Sequence, residues 1–213
     1  MSDRTGSNQK SVTHGFTRRA FLKGTGVAAA SAAIGDASLE AMAAEEAKGA
    51  AIAGPGAVKV MLKINGQDKT LQIEPRTTLA EALRIDLDMT GTKVVCDRGS
   101  CSACTVMLDG QTVCSCMTLA MDARGKQIKT IEGLAKGDQL HPVQEQFIAC
   151  DAMQCGFCTP GMIMSCAALL EQNKSPTLDD VKQATRGNLC RCGTYPKVFE
   201  ATLAAAKQMS GKA

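Results

Sequence analysis

Cysteine is the side chain through which this sequence can do chemistry. From residue 96 to 116 it reads C-D-R-G-S-C-S-A-C-T-V-M-L-D-G-Q-T-V-C-S-C, which sets Cys96, Cys101 and Cys104 as C-x4-C-x2-C and adds cysteines at 114 and 116. That is the plant-type spacing for a [2Fe–2S] cluster, in which thiolates on one tight loop wrap two irons. Such a loop brings its backbone close to inorganic sulfide. Gly99, Ser100, Ser102 and Ala103 are small enough to allow this and to leave room for N–H···S bonds. The fourth ligand must return from an adjacent hairpin, and Asp109-Gly110 supplies a type I′ turn signal for it. Cys114 and Cys116 compete for the role. They are expected to share one strand face, so that only one reaches the metal, and the assignment here is Cys116.

A second constellation lies downstream. Cys155 and Cys158 form C-x2-C, and after 31 intervening residues Cys190 and Cys192 form C-x-C. Taken alone, such pairs read as disulfides, a zinc knuckle or a redox-active dithiol. The odd total of 11 cysteines and the poor geometry of C-x-C for a local bridge weigh against disulfides. The first set lacks the paired C-x2-C knuckles usual for zinc. A Rieske centre needs two histidines, and beyond the leader only His141 remains. Two [2Fe–2S] clusters, one per domain, is the reading, with zinc sites and disulfides as the alternatives. Cys114, Cys150 and Cys166 read as small buried hydrophobes. Met153, Met162 and Met164 read as core or interface packing. Arg191, between two ligands, either tunes a cluster by its charge or pairs with a carboxylate.

Composition limits the partners. The 213 residues include no Trp, one Tyr and five Phe, so the core must be built from Leu, Ile, Val, Met and Ala. Of 24 Lys/Arg and 21 Asp/Glu, the first 43 residues hold five and three, leaving 19 against 18. With neither a basic face nor aromatics to stack bases, nucleic acid is not an expected partner. Residues 1–43 read as a twin-arginine signal peptide. Thr17-Arg18-Arg19-Ala20-Phe21-Leu22-Lys23 carries the pattern, a Gly/Ala-rich stretch runs from Gly24 to Gly35, and Ala41-Met42-Ala43 offers a cleavage site. The apolar stretch is too short for a membrane span, which needs about 20 residues. Periplasmic export of a folded protein is the expectation, with the mature chain starting at Ala44.

The elements that must position the cysteines follow. Residues 44–57 read as a flexible lead-in. In 58–134, alternating Val58, Val60, Leu62 and Ile64 predict a strand, Asn65-Gly66 a hairpin, and Leu71 with Ile73 the return. Thr77-Thr78 caps a short helix with Leu79, Leu83 and Leu87 on one face. After the cysteine loop come a strand from Thr105 to Leu108, its return through Val113, and a last strand from Gln127 to Ile131. This describes an α+β fold that opens with a β-grasp, plant-type ferredoxin-like domain. In 135–213 the pattern turns helical. Helices are expected at His141–Ala149 (Val143, Phe147 and Ile148 apolar), after Cys155–Gly161 through Met162, Met164, Ala168 and Leu169, from Thr177 to Thr185, and at Tyr195–Met209. They make a four-helix bundle with cysteines at helix ends. Each domain is small enough to need its metal centre as a staple.

With both motifs in view, the chain resembles the small iron–sulfur subunit of the xanthine oxidase family of molybdenum hydroxylases. The resemblance covers residues 58 to about 208. It is carried by G-T-K-V-V-C-D-R-G-S-C-S-A-C-T-V at 91–106, T-I-E-G-L at 130–134, Q-C-G-F-C-T-P-G-M-I-M at 154–164 and G-N-L-C-R-C-G at 187–193. The leader makes it most similar to the periplasmic aldehyde oxidoreductase branch. Two positions depart from the usual pattern. Ser102 stands where C-G-A-C has glycine, and C-R-C-G-T-Y at 190–195 replaces C-R-C-T-G-Y.

The resemblance implies an electron relay. A large partner subunit holds a molybdopterin cofactor and oxidises an aldehyde or an N-heterocycle. The cluster on Cys155, Cys158, Cys190 and Cys192 sits nearer the molybdenum. The cluster on Cys96, Cys101, Cys104 and Cys116 passes electrons outward to an FAD-binding subunit or a c-type cytochrome with its haem. Gln154 and Cys192 match positions that lie against the pterin, while the plain alternative for Gln154 is a polar loop filler. No catalytic His, G-x-S-x-G or Gly-rich phosphate loop occurs, so substrate chemistry is not expected on this chain. The rival from another class is a free-standing, exported two-cluster carrier of ferredoxin type.

Overall fold

The computed structural model describes residues 54–211. The signal peptide and most of the lead-in lie outside these residues. Two hairpins build the first half. β1 (Val58–Ile64) and β2 (Gln67–Ile73) pair antiparallel through Asn65-Gly66, and β3 (Thr105–Leu108) and β4 (Gln111–Cys114) through Asp109-Gly110. Both turns take positive φ at both central residues, 50° and 82° in the first and 50° and 80° in the second. This is the type I′ geometry that matches strand twist. β5 (Gln127–Lys129) runs parallel to β1 and antiparallel to β3, giving a mixed five-stranded sheet in the order β2-β1-β5-β3-β4.

The inward residues Val60, Leu62, Ile64, Leu71, Ile73, Val106 and Ile128 form one apolar layer with Leu79, Ala82 and Leu83. The covering helix is shorter than its leucine spacing predicts. α1 (Leu79–Glu81) starts from a Thr78–Glu81 capping box, then loosens into a π-helical turn at Ala82–Asp86, which leaves Leu87 at its end and half-buried. The strand expected through Ile131 stops at Lys129. The Thr130 N–H donates to the Asn65 carboxamide oxygen, and Ile131–Gly133 forms a 3₁₀ turn.

Four helices make the second half: α2 (Pro142–Ala149), α3 (Thr159–Gln172), α4 (Leu178–Thr185) and α5 (Tyr195–Met209). His141 is the N-cap of α2, its Nδ1 accepting from the Val143 N–H at 3.2 Å. α2 lies mainly along α5, and α4 along α3. α3 is apolar nearly all round and is buried on most of its surface, as a central helix must be. It packs on β3 and β4 as well as on its helical neighbours, and its core cluster includes Met107 of β3. Val143 and Phe147 are in that core, but Ile148, expected beside them, points outward and is 61% exposed. The described residues 54–211 thus make one compact α+β unit. Among the described residues, no helix is long and apolar enough to cross a membrane.

Candidate metal centres

The first cysteine loop runs between the π-helical turn and β3. Its backbone N–H groups point at sulfur: Ser100 donates to Cys96 Sγ at 3.3 Å and Gly99 to Cys116 Sγ at 3.4 Å. The Arg98 backbone N–H and the Cys101 thiol hold Cys96 down to about 7, whereas burial raises Cys101 and Cys104. Cys116 does not share a strand with Cys114. β4 ends at Cys114, and Cys116 sits in the 3₁₀ turn Ser115–Met117, buried against Cys104 and Ala80. The turn is fastened by the Ser115 hydroxyl, which donates to the Cys104 carbonyl at 2.7 Å. Cys116 is therefore brought to the loop by a change of backbone direction, not by strand alternation.

The second group gathers at helix ends. Cys158 is the N-cap of α3, Cys155 precedes it, and Cys190 and Cys192 lie in the turn between α4 and α5. The Tyr195 hydroxyl fixes that turn, accepting from the Cys190 N–H at 2.8 Å and donating to the Asn188 carbonyl at 3.1 Å. Burial, then contact with Cys190, pushes Cys158 up to about 12. Against its own partial burial, the Thr194 hydroxyl and N–H bring Cys190 down to about 7. The Phe157 N–H and the Cys192 thiol lower Cys155. The Cys155 N–H pulls Cys192 down, but contact with the Cys155 sulfur leaves it raised.

The eight thiols shift one another's proton affinity within two separate sets, Cys96 with Cys101 and Cys104 with Cys116 in the first, Cys155 with Cys192 and Cys158 with Cys190 in the second. Four thiols per site is the donor count of a two-iron cluster, in which each iron takes two thiolates and bridging sulfides complete its coordination. A tetrathiolate zinc site asks instead for four sulfurs around one point. Among the described residues, no three Cys, His, Asp or Glu side chains converge on a single-ion position. All 11 cysteines are free thiols.

The two sites meet along a hydrogen-bonded seam that sequence patterns do not reveal. The Leu189 N–H donates to the Cys101 carbonyl at 3.0 Å, and the Asn188 carboxamide donates to the Ser102 carbonyl at 3.0 Å. The Ser165 hydroxyl holds the other end of that carboxamide at 2.9 Å. Gly161 lets α3 approach here, because a Cβ would come within 2.4 Å of the Ser102 carbonyl oxygen. Asn188 is buried and Tyr195 half-buried, and the contacts of Asn188 and Leu189 with the first loop span nearly ninety residues of chain.

Other expected positions separate. Gln154 is exposed beside Cys155, and Arg191 is exposed with no ion-pair partner among the described residues. Met162 and Met164 are core, but Met153 is 39% exposed. Of the three remaining cysteines only Cys166 is fully buried, accepting from the Thr202 hydroxyl at 3.1 Å; Cys114 and Cys150 are half-buried. Large apolar side chains surround both sites: Val95 and Met117 near the first, Phe157 and Leu189 at the second.

Comparison with known proteins agrees with this geometry. Residues 62–135 match the family described as "2Fe-2S iron-sulfur cluster binding domain", and residues 130–203 match the "[2Fe-2S] binding domain". The chain is 46% identical over 155 residues to the nicotine 6-hydroxylase small subunit of Paenarthrobacter nicotinovorans, covering 73% of this chain and 93% of that protein. It is 39% identical over 201 residues to the aldehyde oxidoreductase iron-sulfur-binding subunit PaoA of Escherichia coli O157:H7, covering 87% of this chain and 86% of the relative. The crystal structure of quinoline 2-oxidoreductase from Pseudomonas putida 86 superposes with a TM-score of 0.69 at 39% identity, over 74% of this chain and 99% of that chain. The chain belongs to the iron–sulfur small subunits of the xanthine oxidase family of molybdenum hydroxylases, and it carries two [2Fe–2S] binding domains.

Proposed function

We propose that Cys96, Cys101, Cys104 and Cys116 hold one [2Fe–2S] cluster in a β-grasp, ferredoxin-like domain (58–134). Cys155, Cys158, Cys190 and Cys192 hold the other in a four-helix-bundle domain (135–213). The gathering of the eight cysteines at two separate places, one around the loop before β3 and one at helix ends, supports this assignment most directly. Bound clusters supply one-electron steps, and the rest is done by the chain. Gly99 and Ser100 aim N–H groups at Cys116 and Cys96, which stabilises thiolate and reduced cluster alike. Burial of Cys101, Cys104 and Cys116 keeps water from the first site. The Cys101 carbonyl and the Leu189 N–H join the two ligand sets by a single hydrogen bond, with Cys190 next in the chain.

The chain serves as the electron-transfer subunit of a molybdenum-dependent aldehyde or N-heterocycle oxidoreductase, and substrate chemistry belongs to a large molybdopterin-binding subunit. The exposed helix-end site, with Gln154, Cys192, Phe157 and Leu189 around it, faces that subunit. The sheet-side site delivers electrons to an FAD-binding subunit or a c-type cytochrome. The match to the E. coli aldehyde oxidoreductase subunit spans more of the chain than residues 54–211 contain, so it reaches toward the leader and favours the aldehyde reading. Export to the periplasm through Arg18 and Arg19 completes the proposal.

Purification of the native complex tests it. A large molybdenum subunit should co-elute with this chain, and a chain that runs alone with its clusters would support the free-standing carrier instead. Changing Arg18 and Arg19 together to Lys should leave coloured precursor in the cytoplasm. Normal periplasmic amounts of that variant would contradict the export route.

A further inference from the structure

We propose that Asn188 is a positioning residue for the relay, its carboxamide holding closed the hydrogen bond across which electrons pass between the two ligand sets. The inference rests on the ligand assignment above, with Cys101 in one set and Cys190 in the other.

That hydrogen bond runs from the Leu189 N–H to the Cys101 carbonyl at 3.0 Å. Electron tunnelling weakens far less across a hydrogen bond than across an open gap, so the rate depends on this contact staying closed. The Leu189 side chain gives it little support, being 57% exposed. Its neighbour supplies the support instead. The Asn188 carboxamide nitrogen donates to the Ser102 carbonyl at 3.0 Å, so residues 188 and 189 grip residues 102 and 101 by two rungs. Every polar group of Asn188 is fixed, and the residue is buried. Its side-chain oxygen accepts from the Ser165 hydroxyl of α3 at 2.9 Å, and its N–H donates to the Thr185 carbonyl at 2.9 Å. Its carbonyl accepts from the Tyr195 hydroxyl, which in turn accepts from the Cys190 N–H. Asn188 is thus tied to both ligand loops. The Ser102 carbonyl does not need the carboxamide for its own satisfaction, because the Thr105 hydroxyl already donates to it at 2.7 Å. What the carboxamide adds is placement of one loop against the other.

The test follows single electrons through the intact complex. A pulse of methyl viologen radical reduces part of the oxidised clusters, fast absorbance follows exchange between them, and EPR titration with iron counting gives both potentials. Asn188→Asp keeps the shape but sets an acceptor against the Ser102 carbonyl, and Asn188→Ala removes the group. Both should keep full iron and both potentials, while exchange between the clusters slows severalfold. Ser165→Ala, which frees the carboxamide oxygen, should slow exchange less and should add nothing in the Asn188→Ala background. Thr202→Ala loosens the helical core away from the seam and should leave exchange unchanged. An unchanged exchange rate in Asn188→Ala with full iron would overturn the inference and leave the ligand assignment standing. Equal slowing by Thr202→Ala would overturn it too, since general loosening would then explain the rate. If Asn188→Ala loses iron, Ser165→Ala decides alone, and an unchanged rate there overturns the inference. A single EPR signal in the unaltered complex would instead overturn the ligand assignment.

Discussion

The two cysteine sites of this chain are built from opposite materials. In the sheet half the ligand candidates are largely sealed: Cys101, Cys104 and Cys116 are 9%, 2% and 5% exposed, and N–H groups of the same loop point at their neighbours. In the helical half Cys155 is exposed and the other three are half-buried, with Cys190 held by Tyr195 and Thr194. The first site is insulated by its own chain. The second is left open on one side, with Phe157 and Leu189 uncovered around it. The open side fits a site that exchanges electrons with another subunit directly, whereas the sheet-side site is reached on the side of Cys96, its half-buried cysteine.

The largest effect should come from removing one ligand at each site. Cys104→Ser should cost about two of four irons, abolish the sheet-side signal and leave the helical-side cluster reducible by substrate, while turnover with an external acceptor collapses. In Cys158→Ser, substrate should reduce nothing on the sheet side, yet dithionite should still reduce it. If a Cys158→Ser complex with normal molybdenum passes substrate electrons to the sheet-side cluster at the usual rate, the order of the two sites is reversed.

A smaller effect should separate the two sites without touching a sulfur. Tyr195→Phe leaves the Cys190 N–H without its acceptor, a loss of about 1–3 kcal/mol. Chemical denaturation should register that loss, and only the helical-side signal should broaden or shift. Equal disturbance of both signals would mean that the seam makes the sites behave as one.

The smallest effect appears before any metal is bound. In the apo chain, Cys96 and Cys190 sit near 7 and Cys158 near 12. The thiolate is the reactive form, so alkylation of Cys96 and Cys190 should be rapid at pH 8 and slow as the pH falls through about 7. Cys158 should stay protonated and slow across that range. Peptide mapping of short alkylation pulses checks this, and equal labelling of all three would contradict the lowering of Cys96 and Cys190 and the raising of Cys158.

Much of this architecture was legible in the sequence because it is local. Asn65-Gly66 and Asp109-Gly110 dictate their own turns, Thr177 and Asp180 cap their own helix, and α5 spans the expected Tyr195–Met209. The cysteine spacings displayed two sets in the same way. What was not legible depends on distant partners. The strand after Gln127 ends early because Asn65, 65 residues upstream, captures Thr130. Ile148 turns outward although its neighbours are core. Cys116 was singled out for a reason that fails, since a 3₁₀ turn separates it from the strand of Cys114. Asn188 and Leu189, which tie one loop to the other, carry no local signature, because a buried carboxamide and a backbone N–H look ordinary in sequence.

The central claim is that this chain holds two electronically distinct clusters, one in each half. It is tested most directly by counting metal in the native complex and following its reduction by EPR. The account predicts about four irons per chain, no stoichiometric zinc, and two separable [2Fe–2S] signals with different potentials. Stoichiometric zinc, or a single signal with about half that iron, would contradict it.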